Sequence, residues 1–425
     1  MLFSTLSPAG LASAPALRII GPGHAGRSTT ARSGTALVQD AALAWQEAAA
    51  NTPRFQGAAR RLLVEGRRAN AIRNPRAEGC GIGASAAALP TNWWMPNHTS
   101  GLSMDISPVA YGGMTGMRLR LYGMVTLGSG SETIEFEART VSPATASQTR
   151  AHSFYYCLSA GTWPAGANFS TRTISGNNTP SFALVDNVAA AQPVPTASLQ
   201  RAVQAITLSP ALTTGATVTH GFHITGFTAN TAADFTLDVF FPQSEADAAT
   251  PSSPILPPLG TLAAATRSAD ATSWLPAGGL AASGTVILKA MLPQAAPFGS
   301  SQGLVQIDDG TDQNRLLIRN TSGGATVYGV ADSGGSTLAA LAGGGLTAGQ
   351  PFRAALTWSP GNLAFCLSGG PVQTAAITLP GNLSRMLVGH ASSALDRAAS
   401  GEIELIDYHA TRLPDAMLQA VTAAA

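Results

Sequence analysis

Short runs in which apolar and polar residues alternate recur along much of the chain. Side chains of a strand point alternately to opposite faces, so a period of two predicts half-buried strands. Stretches rich in Gly, Ser and Asn, such as residues 128–130 and 175–178, lie between the runs and predict turns. In the first half of the chain the alternating runs are residues 117–125, 133–138, 152–158, 220–224 and 235–240.

A second series of runs follows residues 246–262, a proline-rich stretch that predicts an extended linker between domains. Residues 308–313 form the polar tip of a predicted hairpin, and residues 413–419 predict a short terminal helix. The runs of this series are residues 285–292, 304–307, 315–319, 326–330, 346–358, 362–367, 384–389 and 402–408. Together the two series predict an all-β chain with two antiparallel β-sandwich (jelly-roll) domains in tandem, residues 79–245 and 263–425.

The N-terminal segment, residues 1–53, follows a different pattern. Between residues 35 and 50 apolar positions recur at helical spacing, namely Leu37, Ala41, Ala44 and Ala48. Thr52 and Pro53 end the predicted helix. A single short helix is marginal in water, so its apolar face needs a partner. We interpret the segment as an attachment arm that binds neighbouring subunits or a socket on a particle; docking on its own domain is the alternative.

The composition narrows the class of protein. Charged residues make up 11% of the 425 residues and the net charge is +1, so nucleic-acid binding is not expected. The 45% of hydrophobic residues argues against disorder. No apolar run is long enough to cross a membrane, and residues 1–20 lack the charged start of a signal peptide, so neither membrane insertion nor secretion is expected.

Three cysteines, Cys80, Cys157 and Cys366, lie far apart and form no CxxC pair. Buried free thiols in a reducing cytoplasm are the favoured interpretation, while a Cys80–Cys157 bridge stays open.

Metal-binding patterns are equally sparse. Asp308, Asp309 and Asp312 offer oxygens to calcium, but their spacing differs from an EF-hand loop and favours a plain hairpin turn. His220 and His223 lie three apart on a predicted strand and should face opposite sides. We therefore expect neither a metal nor another cofactor.

Six aromatic or histidine residues near predicted turns are candidates for carbohydrate binding. Apolar C–H faces of sugars stack on aromatic rings, and sugar hydroxyls bind polar neighbours. For each single ring, a place in the core is the favoured alternative. Adjacent residues on a strand point to opposite faces, so one of two neighbouring tryptophans should face water or a partner. The candidates are Trp93, Trp94, His98, Tyr155, Tyr156 and Trp163.

Glycoside hydrolysis requires two carboxylates about 5–10 Å apart. Glu135 and Glu137 lie two apart on one predicted strand, as do Glu402 and Glu404, so each pair should share a face. Alternation on a solvated strand face explains both pairs without catalysis. The chain contains no GxSxG, HExxH or P-loop motif, and we expect no enzymatic activity.

Residues 54–78 form an Arg-rich connecting segment in which residues 54–76 read RFQGAARRLLVEGRRANAIRNPR, with Trp93 and Trp94 following. This order resembles a module of phage tail and head fibre proteins, most closely the head spike fibre of alphaproteobacterial gene transfer agents. In that group the module leads into a jelly roll suspected of binding carbohydrate. Residues 263–425 resemble concanavalin A-like or laminin-G-like jelly rolls in DDGT…NRLLIRN, LTAGQPFRAALTW, NLAFCLSGG and I.LIDYHATRLPDAML.

The resemblance implies a structural spike or fibre on the surface of a phage-like particle assembled in the bacterial cytoplasm. It implies a homotrimer whose arm binds a spike base or capsid protein and whose sandwiches adhere to cell-surface or capsular polysaccharide. Repeated weak sites would then give avidity. The alternatives are a polysaccharide depolymerase and a purely structural spacer.

Overall fold

The chain consists almost entirely of β-strands that divide into two compact units. Unit 1 combines Met1–Arg67 with Ser268–Ala425, and unit 2 is the intervening Arg68–Arg267. The strands before residue 71 are short: β1 (Leu17–Ile20), β2 (Thr29–Ala31), β3 (Ala36–Gln39), β4 (Trp45–Ala48), β5 (Arg54–Gln56), β6 (Arg61–Val64) and β7 (Arg68–Asn70). The structure is a computed structural model that describes residues 16–21, 27–112, 114–297 and 299–423.

Unit 2 contains two five-stranded antiparallel sheets, in the orders β15-β12-β17-β10-β9 and β14-β13-β16-β11-β8, while β7 pairs with β18. A short 3-10 turn, Ala86–Ala88, precedes the sheets. The strands are β8 (Trp94–His98), β9 (Ser103–Tyr111), β10 (Met114–Met124), β11 (Glu132–Glu135), β12 (Thr149–Gly161), β13 (Asn168–Asn177), β14 (Ala183–Ala191), β15 (Gln200–Thr207), β16 (Thr217–Thr225), β17 (Ala232–Ala246) and β18 (Ala265–Arg267).

Unit 1 contains an eight-stranded sheet, β27-β26-β25-β20-β29-β6-β5 with β1 also on β29, and a seven-stranded sheet, β2-β19-β28-β21-β22-β23-β24. The helix α1 (Asp415–Ala423) follows the last strand. The remaining strands are β19 (Ala271–Trp274), β20 (Gly284–Met291), β21 (Gln302–Asp308), β22 (Arg315–Asn320), β23 (Thr326–Ser333), β24 (Ser336–Gly345), β25 (Pro351–Ser359), β26 (Asn362–Leu367), β27 (Gln373–Ala375), β28 (Arg385–Val388) and β29 (Gly401–His409).

Strand β10 shows why alternation produces this fold. Met117, Leu119 and Leu121 have no exposed surface and lie in the unit 2 core. The residues between them face away from the core, where Arg118 pairs with Asp238 of β17 at 2.7 Å. Burial of the apolar set provides most of the stabilisation, at about 25 cal/mol per Å². The all-β prediction with antiparallel sandwiches is confirmed, as is the terminal helix.

The predicted helix between residues 35 and 50 is wrong, because this stretch forms the hairpin β3–β4. Asp40 turns the chain: its carboxylate accepts the backbone N–H groups of Ala42 and Ala44 at 2.8 and 3.0 Å. Leu43 takes a φ of 64° in the turn. Leu37 and Trp45 are buried, as in a half-buried two-stranded sheet. The helical spacing of alanines therefore did not determine the structure, since tertiary burial outweighs weak propensity.

The predicted domain boundaries also need correction. The segment 27–67 belongs to unit 1, since β6 pairs with β29 and β2 pairs with β19. The predicted linker, residues 246–262, packs within unit 2, where the Ile255 N–H donates to Gln243 Oε1 at 2.7 Å and Ile255 is buried. Residues 1–15 of the predicted arm lie outside the described residues. The predicted turn at 175–178 is largely the end of β13.

A buried ion network holds the N-terminal segment in unit 1. Arg32, Arg54 and Asp270 are almost fully buried. The Asp270 carboxylate accepts hydrogen bonds from Arg32 Nη1 at 2.8 Å and from the Glu65 backbone N–H at 3.0 Å, and it also pairs with Arg54 Nη2. Arg54 donates to the Leu37 carbonyl of the β3–β4 hairpin at 3.0 Å. The Arg-rich motif therefore begins with a structural residue of unit 1.

Candidate functional site

The sheet β14-β13-β16-β11-β8 of unit 2 has two chemically different faces. Ile134, Phe222 and Phe169 point into the core and have almost no exposed surface. Their neighbours along the strands, such as Glu135 and Arg172, point to the other face because side chains alternate. This outer face carries the polar and aromatic groups described next.

Four residues form one row across this sheet. Glu135 of β11 lies opposite Trp94 of β8 and opposite Gly221 of β16, and Gly221 lies opposite Arg172 of β13. Strands are spaced by about 4.8 Å, so the row from Trp94 to Arg172 spans roughly 14 Å. We call this surface, with Arg139, His223 and Asn187 of β14 beside it, the Trp94 face.

Trp94 is held in a fixed position. Its indole N–H donates to Glu135 Oε2 at 2.9 Å, and the guanidinium of Arg139 lies 5.0 Å from the ring centre. The Glu135 carboxylate is itself buried and accepts Arg139 Nη2 at 2.6 Å. The Trp94 side of the row therefore holds a rigid aromatic ring that remains 39% exposed.

The floor of the row between Glu135 and Arg172 has no side chain, because Gly221 lies there. A Cβ added to Gly221 would lie 1.8 Å from the Ile134 carbonyl oxygen and 2.8 Å from the Glu135 Cα. Close approach of β16 to β11 thus requires glycine here. Gly221 is buried, so the middle of the row consists of backbone and of the buried Glu135 carboxylate.

The other end of the row is polar. Arg172 Nε donates to Asn187 Oδ1 at 2.9 Å, and Arg172 Nη1 lies 3.5 Å from Thr133 Oγ1. His223 Nδ1 shares a hydrogen bond with the same Thr133 hydroxyl at 2.6 Å. Burial lowers the pKa of His223, and the charge of Arg172 lowers it further. His223 is therefore a neutral hydrogen-bonding group at pH 7.

The six candidates from the sequence are not brought together. Trp93 and Tyr156 lie in the core, and each uses its polar atom inside unit 2: the Trp93 indole donates to the Asn74 carbonyl at 3.0 Å and the Tyr156 hydroxyl to the Pro193 carbonyl at 2.8 Å. Burial raises the pKa of Tyr156 to about 12. Both residues are structural, which corrects their assignment as binding candidates.

The remaining candidates have separate surroundings. Trp163 is half-buried, packs edge-on against Phe235 with ring centres 5.0 Å apart, and donates to the Ala167 carbonyl. Tyr155 is half-buried, with the Arg201 guanidinium 5.2 Å from its ring centre. His98 is exposed at the far end of β8 and pairs with buried Glu132. The Glu132 hydrogen bond raises the pKa of His98, against the effect of burial.

Arg139, Arg172 and Asn187 of the Trp94 face were missed in the sequence. Arg172 lies in a stretch rich in Ser and Thr, residues 168–177, where no alternation of apolar and polar residues distinguishes the two faces. Arg139 lies four residues after Glu135, beyond the end of β11, and contacts it through a turn. The spacing of four residues between Glu135 and Arg139 was the signal in the sequence that indicated an ion pair.

The two pairs of carboxylates considered for hydrolysis are occupied by basic groups. Glu137 pairs with Arg73 at 2.7 Å. Glu402 and Glu404 both pair with Arg61, at 3.4 and 3.0 Å. Burial raises the pKa of Glu402; for Glu404, hydrogen bonds from Lys289 and Arg61 outweigh burial and lower the pKa.

The cysteine and aspartate motifs have structural surroundings. Cys80, Cys157 and Cys366 are free thiols, so the Cys80–Cys157 bridge is not formed. Burial raises the pKa of Cys80 and of Cys157 to about 11. Asp308 pairs with Arg385 at 2.9 Å. Among the described residues, no group of three or more acidic, His or Cys side chains is placed to hold a metal ion, and no helix is long and apolar enough to span a membrane.

Two cavities of unit 1 have linings made mostly of uncharged residues. The larger, about 720 Å³, is lined by uncharged residues that include Leu280, Trp358, Ile377 and Leu379. The smaller, about 440 Å³, includes Trp274 in its lining. Trp358 has almost no exposed surface, so its ring is not available for stacking in the larger cavity. Both cavities have the size of small-molecule sites; the larger has no charged lining residue, and the smaller has only Arg27.

The sequence matches no known family model and no curated protein. The chain is similar to the CBM40 domain of the Ruminococcus gnavus IT-sialidase bound to alpha2,3 sialyllactose, with 15% identity over 34% of this chain and 84% of that chain and a TM-score of 0.29. It is similar to the native heptameric SAP-like pentraxin from Limulus polyphemus, with 13% identity over 33% and 70% and a TM-score of 0.27. It is also similar to the N-terminal CBM22-1-CBM22-2 tandem domain from Paenibacillus barcinonensis Xyn10C. The identity is 13% over 78% of this chain and 97% of that chain, and the TM-score is 0.26. Likenesses at these scores carry no argument about function.

Proposed function

We propose that this protein is a non-enzymatic adhesion protein that binds polysaccharide through the Trp94 face. The observation that carries the proposal is the exposed Trp94 ring, which Glu135 and Arg139 hold in the same row as Arg172. A preorganised aromatic ring stacks on a sugar with little loss of conformational entropy. Arg172, His223 and Asn187 supply hydrogen-bonding groups for the sugar hydroxyls.

The shape of the Trp94 face supports binding to a polymer. The row spans roughly 14 Å across four strands, with exposed Trp94 at one end and partly exposed Arg172 at the other, so an extended chain can contact both ends. Shallow sites bind each chain weakly, and repetition on several subunits multiplies the overall affinity.

The absence of catalysis is part of the proposal. Each carboxylate that was a candidate for hydrolysis is held by at least one basic group, as described above. A general acid needs a raised pKa beside the glycosidic bond. Glu135, the one carboxylate of these on the Trp94 face, has both a guanidinium and an indole N–H as hydrogen-bond donors, so its oxygens are already occupied.

The location on a phage-like particle is also a proposal, and it rests on the resemblance of residues 54–78 and 263–425 to spike and fibre proteins. In this proposal the protein forms a homotrimer and attaches to a spike base or capsid protein through its N-terminal residues. The host capsule would be the polysaccharide.

The test is a pull-down of the full chain with capsule-bearing cells and with isogenic cells that lack capsule, followed by analysis of the supernatant for released oligosaccharide. We expect capsule-dependent binding without release. Trp94→Ala should abolish binding. Leu127→Ala, at a residue of unit 2 that is 49% exposed and lies outside the Trp94 face, is the matched control and should bind normally. Equal binding to both cell types contradicts the proposal, and release of oligosaccharide assigns a depolymerase instead.

A further inference from the structure

Arg172 differs from Arg118 and Arg120, two other arginines that face outward on the sheets of unit 2. Arg118 and Arg120 each pair with an aspartate of β17, at 2.7 and 2.8 Å. Among the described residues Arg172 forms no ion pair, and its hydrogen-bond partners, Asn187 and Thr133, are neutral. The sheet therefore presents one guanidinium whose charge has no direct counterion.

The nearby carboxylate does not fill this role. Glu135 attracts Arg172, but its oxygens are already bonded to Arg139 and to the Trp94 indole. Burial lowers the pKa of Arg172, the charge of Arg139 lowers it further, and Glu135 opposes both. The Trp94 face thus carries two guanidinium charges against one carboxylate, while His223 adds no charge at pH 7.

Half-burial makes this charge unusual. A guanidinium that is partly removed from water and unpaired costs free energy, and a bound anion would recover it. Arg172 Nε is used by Asn187, which fixes the orientation of the planar group. Of its terminal nitrogens, Nη1 has one long hydrogen bond, 3.5 Å to Thr133 Oγ1, and Nη2 has no partner among the described residues. The remaining N–H groups of this end can bind an anion, and a carboxylate matches two parallel N–H groups in geometry.

We infer that the polysaccharide bound by the Trp94 face is acidic, with a sugar carboxylate binding Arg172 while another sugar of the same chain stacks on Trp94. This inference rests on the proposed function and specifies the ligand of the same site. The roughly 14 Å between the two ends of the row means that the carboxylate and the stacked ring belong to different sugars of the chain. A neutral polysaccharide would leave Arg172 unpaired.

The experiment measures binding of the full chain to three immobilised polyuronates, namely polygalacturonate, alginate and hyaluronate, and to the carboxyl-reduced form of each. We expect at least one polyuronate to bind, and its reduced form to bind about 10- to 100-fold more weakly, as for loss of a hydrogen bond to a charged group. Arg172→Gln should lower binding of the polyuronate to the level of its reduced form. Raising the NaCl concentration should weaken polyuronate binding by the wild type. The weaker binding by Arg172→Gln should stay nearly unchanged.

Arg353→Gln is the matched control, because Arg353 of unit 1 also forms no ion pair among the described residues and its Nε is buried without a partner. It should bind like the wild type. Circular dichroism melts show whether each variant is folded.

The outcomes separate the inference from the proposed function. If a polymer and its reduced form bind equally and Trp94→Ala abolishes both, the ligand is not selected for its acidic groups. The inference is then wrong, but the proposed carbohydrate site is retained. Binding to capsule-bearing cells without binding to any polyuronate also overturns the inference. Failure to bind capsule and every polymer removes the proposed function itself.

Discussion

Trp93 and Trp94 are consecutive in the chain and have opposite environments. Trp93 is 6% exposed, packs edge-on against Phe136 with ring centres 4.8 Å apart, and donates its indole N–H to the Asn74 carbonyl. Trp94 is 39% exposed and donates to Glu135. One residue fills the core of unit 2, and its neighbour forms part of the Trp94 face.

The two tryptophans should therefore respond differently to the same substitution. Trp93→Ala should lower the free energy of unfolding by about 3–5 kcal/mol, because it leaves a cavity in the core. Trp94→Ala should cost about 1 kcal/mol and abolish binding to capsule-bearing cells. Urea denaturation of each variant, beside the cell pull-down, checks both values. A large stability loss for Trp94→Ala would mean that its ring is structural.

The ion network of unit 1 predicts that removing the charge of Asp270 strongly lowers the free energy of unfolding. Asp270→Asn should destabilise unit 1 by about 3–5 kcal/mol, since buried Arg32 and Arg54 lose the carboxylate they share. Asp234→Asn breaks the exposed pair with Arg120 and should leave the urea midpoint almost unchanged. Similar midpoints for the two variants would contradict a stabilising role for the network.

A buried histidine pair predicts acid sensitivity of unit 2. His152 of β12 and His220 of β16 are fully buried and stacked 4.4 Å apart, and both ring nitrogens of His152 lack a hydrogen-bond partner. Burial lowers the pKa of both, that of His220 to about 3. The charge of Arg150 lowers both further, and the Ser153 backbone opposes the shift of His220.

The unfolded chain binds these protons near pH 6.5, whereas the folded chain does so only at much lower pH. The contribution of the neutral histidines to the free energy of unfolding is therefore fully present above pH 6.5 and is lost as the pH falls. For His220 the loss between pH 6.5 and 4.5 is about 2–3 kcal/mol. Urea titrations at several pH values should show this slope, and a His152→Phe/His220→Phe double variant should reduce it. An unchanged slope in the variant would assign the acid sensitivity to other groups.

Gly221 tests the floor of the Trp94 face. Gly221→Ala should displace β16 from β11, because the new Cβ collides with the Ile134 carbonyl. We expect a fall in the melting temperature together with weaker binding to capsule-bearing cells. Gly345→Ala, at a position where the Cβ meets no atom within 4 Å, is the control and should retain both properties. Normal stability of Gly221→Ala would show that the two strands have room to separate.

Strands with a strong period of two could be predicted from local sequence. In β10 the apolar residues alternate with arginines, and in β29 apolar residues alternate with Glu402 and Glu404. The same rule places His220 inside unit 2 and His223 on its outer face, as expected from their spacing. It also separates Trp93 from Trp94.

Features that depend on distant contacts could not be predicted. The β3–β4 hairpin contains alanines that suit a helix, and its strand structure depends on burial of Leu37 and Trp45 and on Arg54 from outside the hairpin. The Trp94 face combines residues from five strands and a turn, and its key cation, Arg172, lies in a strand without alternation. Local periodicity carries no information about which strands become neighbours.

The connectivity of unit 1 constrains the order in which the chain can fold as it is synthesised. Val64 of β6 pairs with Gly401 of β29, so at 5–20 residues per second β6 would wait roughly 20–70 s for its partner. Unit 2 is continuous, and its first and last strands, β7 and β18, pair with each other, so it can close much earlier. During the interval the buried surfaces of Leu62 and Val64 have no β29 to cover them. A chaperone that binds exposed apolar strands would therefore act on the N-terminal segment of the nascent chain rather than on unit 2.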